Sequence, residues 1–199
     1  MSKTVLYMSM SADGFIAGPN AAPGNGLGGK GQRLHEWFLP DAGAGHGTGS
    51  HLAGVNREVM DGAMATGAVV AGRRTFELAG GRGGDHHDGV PVFVLSRRQP
   101  DPRLQWPGVT CVSDVTAAVN MARDAAGDKD VLVRGARTAR LALAAGVLGE
   151  LQIHLIPVLL GQGEPLFEDM PPGRIELELL RAVDGPGAAH LRYRVRTAG

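Results

Sequence analysis

The sequence predicts an α/β domain: a mostly parallel central sheet with antiparallel strands at its C-terminal end and helices on both faces. Three observations carry that expectation. Short apolar runs such as "GAVVAG" (67–72), "PVFVLS" (91–96) and "DVLV" (130–133) lack polar alternation and read as strands buried on both faces. Segments of helical period follow the runs at 67–72, 109–112 and 130–133. The chain then ends in two runs, 175–183 and 189–196, that alternate as strands with one wet face do. A length of 199 residues fits one domain, 1–199, with a Gly-rich insertion at about 19–50.

Residues 3–10 form a short apolar run, a candidate central strand. The stretch 18–50 is rich in glycine and too long for an ordinary connection, so it reads as a lid or a partly mobile segment. Within it "LHEWFLP" (34–40) is an apolar island whose Trp37 and Phe38 must pack on the core or on a ligand. Ser50 is a candidate cap for a helix over 51–65, with Leu52, Val55, Val59, Met60 and Ala63 on one face. A short helix over 73–79 follows the strand 67–72, and a Gly-rich loop at 80–90 leads to the strand 91–96. "VTCV" (109–112) is a strand, and Asp114 caps a helix over 115–126 whose inner face holds Val115, Ala118, Val119 and Ala122. A helix over 137–145 follows 130–133, and "ELQIHLIPVLL" (150–160) is a long strand. The turn "DGPG" (184–187) joins the last two runs as a hairpin.

Composition narrows the function. Hydrophobic residues make up 43% of the chain and charged ones 20%, enough apolar material for a core. Lys+Arg and Asp+Glu each number 20, and no basic stripe is interleaved with aromatics, which argues against a nucleic-acid partner. The single cysteine, Cys111, excludes an intrachain disulfide and argues strongly against a cysteine-based zinc site. No run approaches the roughly 18 apolar residues of a membrane span. The N-terminus lacks a cleavage signature, so a cytoplasmic protein without a membrane partner is expected. "DHHD" (85–88) puts adjacent histidines on a Gly-rich loop without a well-placed third ligand, and no metal is expected there.

Three strand ends share one signature. Gly72-Arg73-Arg74-Thr75, Ser96-Arg97-Arg98 and Arg134-Gly135-Ala136-Arg137-Thr138 each combine a strand end, guanidinium groups and a hydroxyl. The first and third open a helix, whose exposed N–H groups suit phosphate. One such turn is commonplace solvated surface. Three of them after parallel strands describe a ligand with several phosphates, such as a dinucleotide lying across the sheet. None is the G-x-G-x-x-G fingerprint or a Walker A loop.

Here the chain resembles a known family. "SMSADGFIAG", "GRRTFE", "FVLSRR" and "VLVRGARTARLALAAGVLGELQIHLIPVLLGQGEPLF" resemble segments of the dihydrofolate-reductase-like superfamily. The closer match is the reductase domain of the riboflavin-biosynthesis deaminase/reductase and its stand-alone relatives. The resemblance implies NADPH as cofactor. Gly72, Arg73, Arg74 and Thr75 would meet the pyrophosphate or adenosine-side phosphates. Ser96, Arg97 and Arg98 would take the 2′-phosphoribose, where positive charge selects NADPH over NADH. Gly135, Ala136, Arg137 and Thr138 would cradle the pyrophosphate, with Arg134 beside them, and Ile16, Ala17 and Gly18 would lie against the nicotinamide.

Two departures qualify the transfer. The family turn carries two glycines where this chain has Arg134-Gly135, so the arginine side chain either leaves the cofactor face or adds a phosphate contact. Relatives that reduce the ribosylated pyrimidine of riboflavin synthesis often carry an acid just before this turn, where this chain has Val133. Asp13 is the candidate proton donor near the nicotinamide, although a turn aspartate in "SADG" also bonds its own backbone. Trp37, with Phe38, is a candidate substrate platform, and His35 and Glu36 could line the same side. His154 is expected to face a strand neighbour or a subunit contact. The expected function is an NADPH-dependent reductase of a C=N or C=O bond in a small polar, heterocyclic substrate, working as a homodimer. The alternative is a catalytically silent nucleotide-binding module of the same fold.

Overall fold

The computed structural model describes residues 2–39, 52–79, 89–98, 106–170 and 173–196. Its centre is an eight-stranded sheet made of β1 (Thr4–Ser11), β3 (Ala68–Gly72), β4 (Val92–Leu95), β5 (Val109–Val112), β6 (Val131–Arg134), β7 (Glu150–Ile156), β9 (Glu176–Gly185) and β10 (Ala188–Arg196), in the order β5-β4-β3-β6-β1-β7-β10-β9. The six strands from β5 to β7 run parallel, and β10 and β9 complete the sheet antiparallel. Two short strands form a separate ribbon, β2 (Phe15–Ala17) with β8 (Glu164–Pro165).

Helices cover both faces, as the sequence predicts. On one face α3 (Val115–Ala126) and α4 (Ala136–Ala144) lay Ala118, Ala122, Ala139 and Ala142 on Val70, Val133 and Leu6, all fully or almost fully buried. These small side chains let the helix backbones lie close to the sheet. On the other face α1 (Gly54–Met64), α2 (Arg73–Leu78) and the segment around Trp37 pack Val59, Ala63, Phe76 and Leu34 on Val69, Ala71, Val94 and Leu132.

Local chemistry accounts for the element ends. Asp114 caps α3 through its Oδ1, which accepts the Ala117 N–H at 2.8 Å, an arrangement worth about 1 kcal/mol. The helix expected over 51–65 starts later, at Gly54, after Ala53 and without a side-chain cap; Ser50, its expected cap, lies outside the described residues. The strand expected over 150–160 stops at Ile156, because Pro157 has no N–H for a ladder bond. The hairpin turns through Pro186 and Gly187, with Gly187 at φ +81°.

Over 18–39 the Gly-rich stretch is tied to itself by backbone bonds. Gly18 N–H donates to Leu27 O at 2.8 Å, Gly29 N–H to Pro19 O at 2.7 Å, and a 3-10 turn runs through Gly31–Leu34. The "DHHD" stretch lies outside the described residues, and among the described ones no cluster of three or more His, Cys, Asp or Glu could hold a metal ion. No described helix is long and apolar enough to cross a membrane.

Candidate functional site

Because β3 and β6 are neighbours with Ala71 beside Arg134, the turns that follow them lie side by side. Gly72 is the N-cap of α2 and Gly135 the N-cap of α4, and neither helix start is capped by a side chain. Two sets of first-turn N–H groups and two positive helix ends therefore meet at the carboxyl edge of the sheet. The turns also interlock. Thr75 Oγ1 occupies the space a Cβ at Gly135 would need, and Thr138 Oγ1 lies 2.9 Å from where a Cβ at Gly72 would be. Thr138 is 1% exposed and its hydroxyl has no hydrogen-bond partner. An orphaned buried hydroxyl costs about 1–3 kcal/mol. Beside two uncapped helix starts, it is a donor available to an anion.

The arginines divide. Arg73 holds Glu77 with both carboxylate oxygens, at 3.0 and 3.1 Å, and Arg74 pairs with Glu164 at 3.5 Å. Sequence reasoning gave both guanidiniums to phosphate; the structure gives them partners within the chain. Surface pairs of this kind are worth about 0–1 kcal/mol, so a phosphate would compete with them on favourable terms. Arg97, Arg98 and Arg137 are exposed, and Ala136 is buried. The Ser96 hydroxyl accepts the Arg98 N–H at 3.0 Å and donates to Arg98 O, so it builds its own turn. Arg134 shares a sheet face with Ala71 and Tyr7, opposite α4, and its charge reaches Tyr7 and His154. The residue therefore sits on the α2 side of the sheet, away from the α4 side.

At the end of β1 the turn is tied down by Asp13. Its carboxylate accepts the Ser11 hydroxyl at 2.6 Å, the Gly161 N–H at 2.7 Å and the Leu160 N–H at 3.1 Å. The Ser11 bond, with those backbone donors, holds the exposed carboxyl below its usual range. A carboxylate kept ionised by three donors is a poor proton donor near neutral pH. Asp13 thus ties the turn after β1 to the backbone at 160–161, contacts beyond the local turn bond that "SADG" suggests. Ile16 and Ala17 lie buried on β2, which β8 and the loop before it cover. A Cβ at Gly18 would strike Gly29 O, and one at Gly163 would strike Ala17 O. Gly18 is therefore demanded by the chain's own backbone, a reason the sequence does not display.

Trp37 is not a solvent-facing platform. It is 5% exposed, its indole N–H donates to Ser9 Oγ at 2.9 Å, and its ring packs on Phe38, His154 and His190. An apolar ring with a satisfied N–H gains more from the core than from a wet loop. Phe38 is half-buried beside His35 and Trp37.

Behind Trp37 lies a buried polar chain that sequence reasoning missed. His154 on β7 faces His190 on β10, their Nδ1 atoms 2.8 Å apart, and His190 Nε2 meets Asn56 Oδ1 at 2.9 Å. The expectation that His154 in "QIHLIP" faces a strand neighbour holds; that the neighbour is His190, on a strand far along the chain, is invisible in sequence. Burial and the neighbouring His190 and Arg134 charges push His154 well below 6.5, and burial lowers His190 as well. Below about pH 6.5 the unfolded chain therefore takes up protons more readily at these imidazoles than the fold does. Stability is therefore fully present above about pH 6.5 and is lost as pH falls below it. Between about pH 7.5 and 5.5 we expect the free energy of unfolding, from urea titrations, to fall by about 1–3 kcal/mol. A flat profile would show that the imidazoles titrate normally in the fold.

The sequence pattern of the RibD C-terminal domain matches residues 2–188. The chain belongs to that family. It is a reductase family, and its dihydrofolate-reductase-like architecture is the one described above. None of the curated proteins matches the chain. Among solved structures, a protein assigned to riboflavin biosynthesis from Shewanella sp. PV-4 superposes with a TM-score of 0.71 at 20% identity, covering 98% of this chain and 99% of that one. A pyrimidine reductase-like protein of Corynebacterium diphtheriae gives 0.62 at 15% identity, with 99% and 93% covered. Dihydrofolate reductase of Enterococcus faecalis, complexed with NADP(H), gives 0.58 at 16% identity, with 98% and 97% covered. At these identities the likeness is one of fold.

Proposed function

We propose that this chain is an NADPH-dependent reductase that delivers a hydride to a C=N or C=O bond of a small polar, heterocyclic substrate. One observation carries the reading: two uncapped helix starts, α2 and α4, abut at the sheet's carboxyl edge around the orphaned Thr138 hydroxyl. That donor set fits a pyrophosphate. Thr75, Ala136, Arg137 and Thr138 would hold it, with Arg73 and Arg74 adding charge, while Arg97 and Arg98 would meet a 2′-phosphate. Ile16 and Ala17 would wall the nicotinamide side. The bound cofactor supplies the hydride; the protein orients the reactants and excludes water. The absence of an acid at Val133 argues against the ribosylated pyrimidine as substrate. Oxidation of NADPH by the protein with a panel of heterocyclic imines and ketones tests the activity. NADPH that binds but is never oxidised would favour the second reading, a silent nucleotide-binding module. That reading is supported by the three-donor engagement of Asp13, the residue expected to supply a proton.

The double change Arg97→Ala/Arg98→Ala is expected to remove most of the preference for NADPH over NADH, a loss of about 1–3 kcal/mol of discrimination. Fluorescence titration with both cofactors measures it, and undiminished discrimination places the 2′-phosphate elsewhere. A homodimer joined at the antiparallel end of the sheet completes the reading. There the edge strand β9 leaves Leu177 43% and Leu179 55% exposed, an unusual cost for a lone edge. Sedimentation at micromolar concentration checks it.

A further inference from the structure

The Asn56–His190–His154 chain admits one arrangement of protons. Asn56 Nδ2 donates to two carbonyls, Trp37 O at 3.2 Å and Pro186 O at 3.0 Å. Carbonyls only accept, so the amide orientation is fixed and Oδ1 faces His190 Nε2 at 2.9 Å. That nitrogen must carry a hydrogen. A neutral His190 then presents a bare Nδ1, and His154 Nδ1 must donate across the 2.8 Å contact. His154 Nε2 is left as a bare, buried acceptor, in accord with its having no partner. One added proton at His154 Nε2 leaves every bond in place. A second would put N–H against N–H between the rings, and the pair must part.

The chain joins five pieces of the molecule. Asn56 belongs to α1, His154 to β7 and His190 to β10; Pro186 lies in the β9–β10 turn, and Trp37 is held to Ser9 of β1. The turn is shaped around it: a Cβ at Gly185 would strike Asn56 Oδ1 and lie 2.9 Å from His190 Nε2, and Gly187 packs on Trp37. The charged and titratable groups that face the pair come from every side. Tyr7 of β1 stacks edge-on with His154, with its hydroxyl bonded to Val59 O. Arg134 of β6 and His35 act on His154, Arg181 and Asp184 of β9 act on His190, and Arg181 is itself paired with Glu58 of α1. Glu58 is engaged by Arg181, and Asp184 eases an added proton only on the His190 side, while Arg134 opposes one on His154.

We propose that this chain is an acid-released latch: it holds Trp37, α1 and the β9–β10 turn against the sheet while the pair carries at most one added proton, and it opens locally when the second is taken up. Opening frees the Trp37 wall at the carboxyl half of β1, beside the turn that carries Asp13. The device is independent of the proposed reductase activity, and its test needs no substrate.

The test uses the full chain carrying Trp106→Phe, so that Trp37 alone reports. Below about pH 6, Trp37 emission should change and amide exchange in α1 and at Gly185, Gly187 and Ala188 should quicken, while far-ultraviolet circular dichroism holds. His190→Gln keeps a donor for Asn56 and an acceptor for His154 but cannot be protonated. Its opening should take up one proton fewer, making its pH dependence weaker by about tenfold per pH unit. Emission that moves only together with circular dichroism overturns the proposal, as does a His190→Gln profile as steep as the parent's. Should that variant fail to fold, nitrogen NMR of the parent decides. A bare His154 Nε2 and a protonated His190 Nε2 at neutral pH, with both rings doubly protonated in the acid state, support the latch. Any other set of tautomers overturns it.

Discussion

Replacing Gly135 with alanine is expected to cost the fold about 2–4 kcal/mol before any ligand is considered. Gly135 sits at φ +92°, where an L side chain pays on the order of 1–2 kcal/mol. The new Cβ would also run into Thr75 Oγ1, held on the first turn of α2. This corrects the reading of Gly135 as a residue of the pyrophosphate cradle alone. The close approach is to the chain's own threonine. Thr75→Ala removes the hydroxyl but not the positive φ, so Gly135→Ala/Thr75→Ala should recover about 1–2 kcal/mol of the loss, the coupling expected of side chains in contact. Urea unfolding of the two single variants and the double variant measures this. A single Gly135→Ala variant within about 0.5 kcal/mol of the parent would show that the two turns do not interlock.

That correction illustrates what the sequence could and could not reveal. The parallel strands were legible because burial on both faces leaves only apolar residues, as in Val69, Val70 and Val94. Helix α3 was legible because its period and its Asp114 cap agree. The ribbon of β2 and β8 was not, since three and two residues carry no period. The basic turns were found, but not the use of their side chains: Arg73 and Arg74 meet Glu77 and Glu164, and Glu164 lies about ninety residues away. Trp37 was recognised as needing a surface, and its partners, Ser9, His154 and His190, come from three separate strands. Sequence distance hides such meetings. Among the glycines, Gly18 reads as part of a loose stretch, yet both it and Gly163 have backbone lying where a Cβ would go.

Gly163→Ala is the sharper test of the proposed cofactor site, because its effect should fall on one end of the ligand only. Gly163 is at φ +146°, and a Cβ there would strike Ala17 O and approach Gly18 Cα at 3.1 Å. Backbone cannot rotate aside as a side chain does, so β8 must move off β2. Overpacking that displaces backbone costs about 1–3 kcal/mol, and the pairing of Ala17 with Glu164 and of Phe15 with Pro165 is weakened with it. The turns at Gly72 and Gly135 belong to other strands; the Arg74–Glu164 pair links the first of them to β8, but a surface pair of this kind is worth only about 0–1 kcal/mol. In the proposed arrangement β2 walls the nicotinamide, while the phosphates sit on α2 and α4. NADPH should therefore bind roughly tenfold more weakly to the variant, a loss of about 1.4 kcal/mol. Adenosine 2′,5′-bisphosphate, which lacks the nicotinamide, should bind as it does to the parent. Fluorescence or calorimetric titration of both ligands, with circular dichroism as the folding control, separates the outcomes. Equal weakening of both would mean that the disturbance spreads to the phosphate turns. Unchanged binding of both would mean that β2 does not touch the cofactor, and that Ile16 and Ala17 serve the fold alone.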